Sequence, residues 1–271
     1  MVYRSIFVLS KDVDLSMDIL LTDIIYQKRN VMIPIILGIG LCFIILERII
    51  PDQKLPHVPG WWTRVILINF LQLGVVILGQ YTWDKWFMKA SVFNLLGEVS
   101  PIIGGLIAYG VITFVFYWWH RWRHTVNFLW LALHQVHHSP QRIETITSFY
   151  KHPLEIILNS LIIGSINFLL LGLSLESAAW CMLFSAVGEY IYHMNIKTPH
   201  IMGYFFQRPE MHRIHHQRGK HYYNFSDLPI WDMLFGTFKN PKKMDEACGF
   251  KPEREEKLMD MLIFKNVNDK Y

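Results

Sequence analysis

Five stretches of the chain are almost free of charge. Val31 to Leu46, Val65 to Trp83, Val99 to Trp119 and Ile156 to Leu175 carry none, and Ser177 to Tyr192 carries only Glu189. A helix that crosses a bilayer needs about 20 apolar residues, with about 17 to 25 tolerated. The second, third and fourth runs meet that length, and the first and fifth are marginal. Backbone amides in hydrocarbon must find partners inside the protein, so uninterrupted apolar runs of this kind predict helices. The pattern predicts an all-α integral membrane protein with four to five transmembrane helices. Pro51 to Gly60 is punctuated by Pro51, Pro56, Pro59 and Gly60 and reads as a loop. Leu15 to Gln27 reads as an amphipathic helix lying at the interface. The first residues do not make a signal peptide, because acidic residues follow a short apolar stretch at once.

Composition agrees with this picture. Of the 271 residues, 52% are hydrophobic and 18% charged, against about a quarter charged in soluble domains. A disordered chain or an ordinary soluble domain is excluded on that ground. The cysteines Cys42, Cys181 and Cys248 are too few and too scattered for a disulfide framework. The net charge of +4 is mild and implies no nucleic-acid partner. The basic residues bear instead on orientation, because Lys and Arg accumulate in cytoplasmic loops. With five crossings, 47–64, 120–153 and 193–271 share one side and hold twenty Lys and Arg against six on the other, most of the excess in 193–271. That side is expected to be cytoplasmic, and 156–192 is then a hairpin that leaves it and returns.

Twelve of the thirteen histidines lie between His120 and His221. His120 and His124 are four apart, His134, His137 and His138 form HxxHH, and His212, His215 and His216 form a second HxxHH. Residues three and four apart share a helix face, so each box can present imidazoles in one direction. Neighbouring members of a box diverge slightly and can serve two adjacent ions. With His193 at the end of the last run, the boxes offer nine nitrogen ligands, too many for one ion of four or five coordination. The segment from Thr125 to Leu133 is too short to cross, so all nine can meet at one membrane face under a cytoplasmic helical cap made by 120–153 and 193–271. Imidazole suits zinc, copper, iron and nickel. No HExxH helix is present, which disfavours a zinc protease, and haem would use only one or two of the histidines. His57 lacks a haem-binding pattern or partner. His152, before Pro153, reads as a turn residue with a cavity-lining role as the alternative. His200, beside Pro199, reads as structural, and His221 as a surface residue or a support for the ligands.

Carboxylates often orient metal-bound imidazoles. Glu189, four residues before His193 on the same face, is the first candidate for that role. Glu155 and Asp232 are further ones, with a helix cap or turn contact as the alternative for Asp232. Arg213 is expected to pair with one of these acids or with a lipid phosphate. Phe116, Tyr117, Trp118 and Trp119 could line the mouth of a substrate cavity, or form an interfacial aromatic belt.

The chain resembles the fatty acid hydroxylase and sterol desaturase superfamily of membrane di-iron enzymes. The resemblance rests on His120-Arg121-Trp122-Arg123-His124, on His134-Gln135-Val136-His137-His138-Ser139 and on His212-Arg213-Ile214-His215-His216. It extends to Trp130, His152-Pro153-Leu154-Glu155, His193-Met194-Asn195 and the closing Trp231-Asp232-Met233-Leu234-Phe235-Gly236-Thr237. It covers about 99 to 241, which defines a catalytic domain at 99–241 between an N-terminal segment with two spans (1–98) and a charged C-terminal tail (242–271). It implies two iron ions held by His120, His124, His134, His137, His138, His193, His212, His215 and His216. It also implies O2 as co-substrate, and hydroxylation or desaturation of a lipid. Some members carry a further histidine soon after the position of His193. Here Lys197 occupies that region, and Asn195, a water or His200 would complete the set. No flavin, nicotinamide, iron–sulfur or cytochrome module is visible, so electrons are expected from a separate cytochrome b5 or ferredoxin with its reductase. The bacterial plasma membrane and the endoplasmic reticulum are both open. A histidine-rich membrane metal transporter is the alternative of a different class. It predicts ligands staggered through several spans, and four of the five runs are uncharged.

Overall fold

The structure is a computed structural model that describes residues 31–91 and 93–268. The expected interfacial helix at Leu15 to Gln27 lies outside the described residues. Helices make up the architecture, and no strand occurs among the described residues beyond a single antiparallel bridge between Gln217 and Cys248.

The apolar runs form helices α1 (Met32–Ile49), α2 (Trp61–Tyr81), α3 (Trp83–Ala90), α4 (Pro101–Thr125), α5 (Pro153–Gly164) and α6 (Leu175–His193). Pro101 and Pro153 each sit in the first turn, where the missing N–H costs nothing. Helix α5 runs on through a π-helix, Ser165–Leu170. Four helices are long and apolar enough to cross a membrane: Met32–Ile49, Trp61–Ala90, Pro101–Thr125 and Pro153–Leu170. Large apolar side chains such as Ile45, Leu67 and Leu106 stand exposed on them, as a lipid-facing surface requires.

The fifth run differs from the expectation. Its helix, α6, is present and has 19 residues, about 28 Å at 1.5 Å per residue. It is not one of the four apolar helices; Glu176 and Glu189, with Ser177, Ser185, Tyr190 and Tyr192, make it less apolar than they are. Helix α6 packs against α4, α1 and the segment that carries the third histidine box. A Cβ on Gly105 would stand 2.8 Å from the Ser177 carbonyl and 2.9 Å from the Cys181 amide. Glycine there lets α4 and α6 approach backbone to backbone, as small residues do between membrane helices. Gly40 of α1 receives the Tyr190 ring of α6 in the same way.

Residues 120–152 and much of 194–268 gather at one end of the bundle as a cap, while 226–231 reaches along α4, where Trp231 Nε1 donates to the Thr113 hydroxyl (3.0 Å). Buried polar side chains tie the cap to the spans. The Glu47 carboxylate, at the end of α1, accepts from the Thr145 amide (2.9 Å), the Thr145 hydroxyl (2.9 Å) and the Asn195 amide (3.0 Å). Glu144 accepts from Trp61 Nε1 at the start of α2 (2.9 Å) and from Arg142 and Arg48. The segment 242–268 folds back onto the cap. Phe250 and Met261 are buried in one apolar cluster with Trp61, Trp130, Val136 and Tyr150.

Candidate metal centre

The three boxes reach the same place from different local structures. His120 and His124 lie in the last turns of α4. His134 ends a π-helix, Trp130–His134, and His137 and His138 follow in a short α-helix, Gln135–His138. The sequence suggested one regular helix here. The wide π turn is instead a local departure of the kind often found at functional sites. Helix α7 (Pro209–His215) carries His212 and His215, and His216 sits just past its end. His193 is the last residue of α6.

These nine histidines divide into two groups. His120, His124, His134, His138 and His215 form one, and His137, His193, His212 and His216 the other. Within each group, one nitrogen of every imidazole lies within 4.8 Å of all the others. The groups touch, with the His138 and His216 rings stacked at 4.2 Å. Each HxxHH box is thus split, its adjacent members turned to different groups.

Five of the nine rings have their outer nitrogen held. The Nδ1–H groups of His120, His137, His193 and His215 donate to the carbonyls of Phe225 (2.8 Å), Tyr150 (3.2 Å), Glu189 (2.9 Å) and Tyr223 (2.8 Å). His134 Nδ1–H donates to Glu155 (3.2 Å), whose carboxylate also pairs with buried Arg123. Such bonds set the tautomer and aim Nε2 as the free lone pair. The Nε2 atoms of His120, His124, His134, His138 and His215 are buried without a hydrogen-bond partner. In the other group, His212 Nε2 lies 3.0 Å from Nε2 of both His193 and His216. Two nitrogens bound to one ion at about 2.0–2.1 Å come roughly that close. The partnerless lone pairs of the first group converge in the dry interior and are costly without a cation, and the close nitrogens of the second suit a shared ion, so the donor set fits two transition-metal ions.

Burial also keeps these rings neutral, the form that binds metal. It pushes the His134, His137, His138, His212 and His216 imidazoles far below their ordinary value, with neighbouring imidazoles and cations adding to it. His215 falls to about 3 and His221 to about 4, again chiefly through burial. An unfolded chain takes up these protons near pH 6.5, and the folded one refuses them until far lower pH, about 3 for His215 and about 4 for His221. Between those values the unfolded state binds more protons, so stability falls as pH drops. The metal-free protein in detergent is expected to hold a constant thermal midpoint from pH 8 to 7 and to lose it progressively below about 6.5. A midpoint unchanged down to pH 5 would contradict the burial of the cluster.

Other expected residues take different parts. The Glu189 carboxylate does not touch His193; it pairs with Lys151 Nζ at 2.8 and 2.7 Å, and the Glu189 backbone carbonyl holds the ring. Asp232 touches no histidine. It accepts from the Phe225 and Ser226 amides and the Thr237 hydroxyl, which fixes the strand of backbone that receives His120. Asn195 is engaged with Gln53 and Arg213, and His200 with Asn240, so neither completes the ligand set; Lys197 is exposed. Arg213 pairs with Asp52 rather than with the acids expected. His152 Nδ1 accepts from the Leu154 amide and caps α5. Of the aromatic run, Tyr117 is fully buried, Trp119 donates to Asn159 and only Phe116 reaches a cavity wall. His221 is the residue most underrated by sequence. It is buried, its ring lies 4.6 Å from that of His138, and its Nδ1–H donates to the His215 carbonyl (2.8 Å). Its position in a polar loop concealed this, since only the fold turns that loop inward.

A cavity of about 530 Å³ lies between α1, α2, α5 and α6. Its walls are mainly apolar, and Lys151 and Glu189 line its end nearest the histidines. That size suits one small apolar ligand.

Comparison with known proteins agrees with the site. The family model described as fatty acid hydroxylase matches residues 105–237. Very-long-chain aldehyde decarbonylase GL1-9 of Oryza sativa subsp. indica is 29% identical over 194 residues, 69% of this chain and 72% of that protein. Sphinganine C4-monooxygenase 2 of Arabidopsis thaliana is 32% identical over 139 residues, 49% of this chain and 53% of that protein. Delta(7)-sterol-C5(6)-desaturase of Nicotiana tabacum is 28% identical over 169 residues, 60% of this chain and 58% of that protein. No solved structure matches the chain. The matched segment contains all three histidine boxes, most of Pro101–Thr125 and all of Pro153–Leu170. With apolar helices enough for several crossings, and the boxes gathered at one end of them, the chain is a multi-pass membrane protein and belongs to the fatty acid hydroxylase and sterol desaturase superfamily of membrane oxidoreductases.

Proposed function

We propose that the nine histidines hold two iron ions and that the enzyme hydroxylates an unactivated C–H bond of a lipid. The overall change is R–H + O2 + 2 e⁻ + 2 H⁺ → R–OH + H2O, with electrons from a separate cytochrome b5 or ferredoxin-type donor. The observation that carries this reading is the pair of adjacent imidazole groups beside a mainly apolar cavity. Iron, when bound, would supply the oxygen and C–H chemistry. The chain's own task is positioning. The carbonyls of Phe225, Tyr150, Glu189 and Tyr223 and the Glu155 carboxylate aim the imidazoles. Helices α1, α2, α5 and α6 exclude water from the alkyl chain. The reading also takes 99–241 as the catalytic domain and has the site face the cytoplasm, on the excess of Lys and Arg in the segments at that end. A transporter would need ligands spaced across the membrane, whereas these histidines are gathered at one end of the bundle.

The test is a mass-spectrometric comparison of lipids from cells that express the wild type or His137→Ala, with iron and an electron donor supplied. A lipid class that gains one oxygen only with the wild type is expected. Loss of two hydrogens instead would make the enzyme a desaturase, and identical lipid profiles would refute the oxygenase reading.

A further inference from the structure

The cavity has two kinds of wall. Leu37 and Leu41 of α1, Phe70 and Leu73 of α2, Ile163 of α5 and Met182 of α6 make most of it apolar. Its end nearest the histidines carries Lys151 and Glu189, whose side chains are only 11% and 23% exposed. The Glu189 carbonyl holds His193, and the carbonyl of Tyr150, the residue before Lys151, holds His137. Both histidines belong to the group of four. Along α6 from Glu189, Cys181 also lines the wall, eight residues and therefore about 12 Å away. The ion pair thus adjoins the backbone that holds two of the imidazoles, and a mainly apolar cavity, whose wall also carries Asn69, Gln72, Asp84 and Asn159, extends away from it.

Charges buried beside an apolar cavity are costly to desolvate. Orienting His193 and His137 does not require this pair, because backbone carbonyls perform that task. What the pair offers the cavity is a strong donor beside a strong acceptor. A hydroxyl or primary amide can accept from Lys151 and donate to Glu189 at once. A carboxylate meets the like charge of Glu189, an ammonium meets that of Lys151, and a bare alkyl end bonds to neither.

We propose that Lys151 and Glu189 together bind the neutral hydroxyl or amide head of a single-chain lipid, holding the head at the histidine end with the tail in the apolar part of the cavity. This inference rests on the cavity being the substrate site of the proposed oxygenase, and it narrows the substrate class. The C–H bond oxidised lies a few bonds from the polar head rather than at the tail end.

The test measures binding to the purified full-length metal-loaded protein in detergent, under nitrogen and without an electron donor, so that nothing turns over. Radiolabelled hexadecanol is displaced by hexadecanol, hexadecanamide, palmitate, hexadecylamine or hexadecane. The wild type is expected to bind the alcohol and the amide roughly tenfold or more tighter than the other three, the gain from a charge-assisted hydrogen bond. Glu189→Gln should shift the preference toward palmitate, and Lys151→Met toward hexadecylamine. A merely structural ion pair would lower the thermal midpoint in both variants without reordering the ligands. The double variant Lys151→Met/Glu189→Leu leaves no unpaired charge, so it should keep its metal and bind hexadecanol no better than hexadecane. An unchanged ranking in the single variants, or equal binding of hexadecane and hexadecanol by the wild type, overturns the inference. Because binding is read without turnover, head-group preference with no oxidised lipid would leave the Lys151–Glu189 head-group site standing and remove the oxygenase. Oxidised lipid with no preference would do the reverse.

Discussion

His212→Ala is expected to remove one of two bound ions and all activity while the protein remains folded in the membrane. His212 Nε2 lies 3.0 Å from Nε2 of both His193 and His216, at the centre of the four-imidazole group. Binding energies of four-ligand structural metal sites run about 10–16 kcal/mol, so one ligand in four is worth roughly 2.5–4 kcal/mol. That is a loss of about a hundredfold or more in affinity. The other group has five imidazoles, so His138→Ala still leaves four and should retain its ion more firmly. Metal analysis of the purified variants reads this directly. Expected are two ions per chain in the wild type and one in His212→Ala, with a smaller loss in His138→Ala. Equal loss from both variants would contradict the division into two groups of unequal size.

Arg123→Leu is expected to cause the largest loss of stability. Arg123 and Glu155 form an ion pair with side chains only 5% and 0% exposed, and Glu155 also receives His134 Nδ1–H. Removing one partner of a buried pair leaves an uncompensated charge and costs about 3–5 kcal/mol. In a protein of this size that lowers the thermal midpoint by about 10 °C. The double variant Arg123→Leu/Glu155→Leu removes both charges and should recover most of the midpoint. It should still lose metal more readily, because His134 no longer has an acceptor for Nδ1–H. Thermal melts and metal retention measured together separate the two roles. A double variant that holds metal as firmly as the wild type would show that Glu155 serves stability alone.

The two properties that define the protein were legible in the chain for different reasons. Charge-free runs must be helices in a bilayer because their amides have no other partners, and Met32–Ile49, Pro101–Thr125 and Pro153–Leu170 follow that rule. The boxes were legible because helical periodicity puts residues three and four apart on one face. Short segments then keep His120, His134, His193 and His212 at one end of the bundle. The carboxylate assigned to His193 was misplaced for a simple reason: spacing aligns Glu189 with His193 on a face, but it does not say whether the side chain or the carbonyl reaches the ring. Here Lys151, thirty-eight residues away, holds the carboxylate, and the carbonyl is left for His193. His221 escaped notice because a polar loop has no period to read.

Residue identity and local spacing alone give a membrane helical bundle with a nitrogen-rich cluster at one end. The allotment of nine imidazoles to a group of five and a group of four, the turning of His221 inward, and the seating of Lys151 and Glu189 at the head of the cavity come only from packing. Local geometry constrains neighbours within about one helical turn. These outcomes depend on contacts between elements far apart in sequence, where Gly105 lets α4 meet α6 and Glu47 anchors the cap to α1.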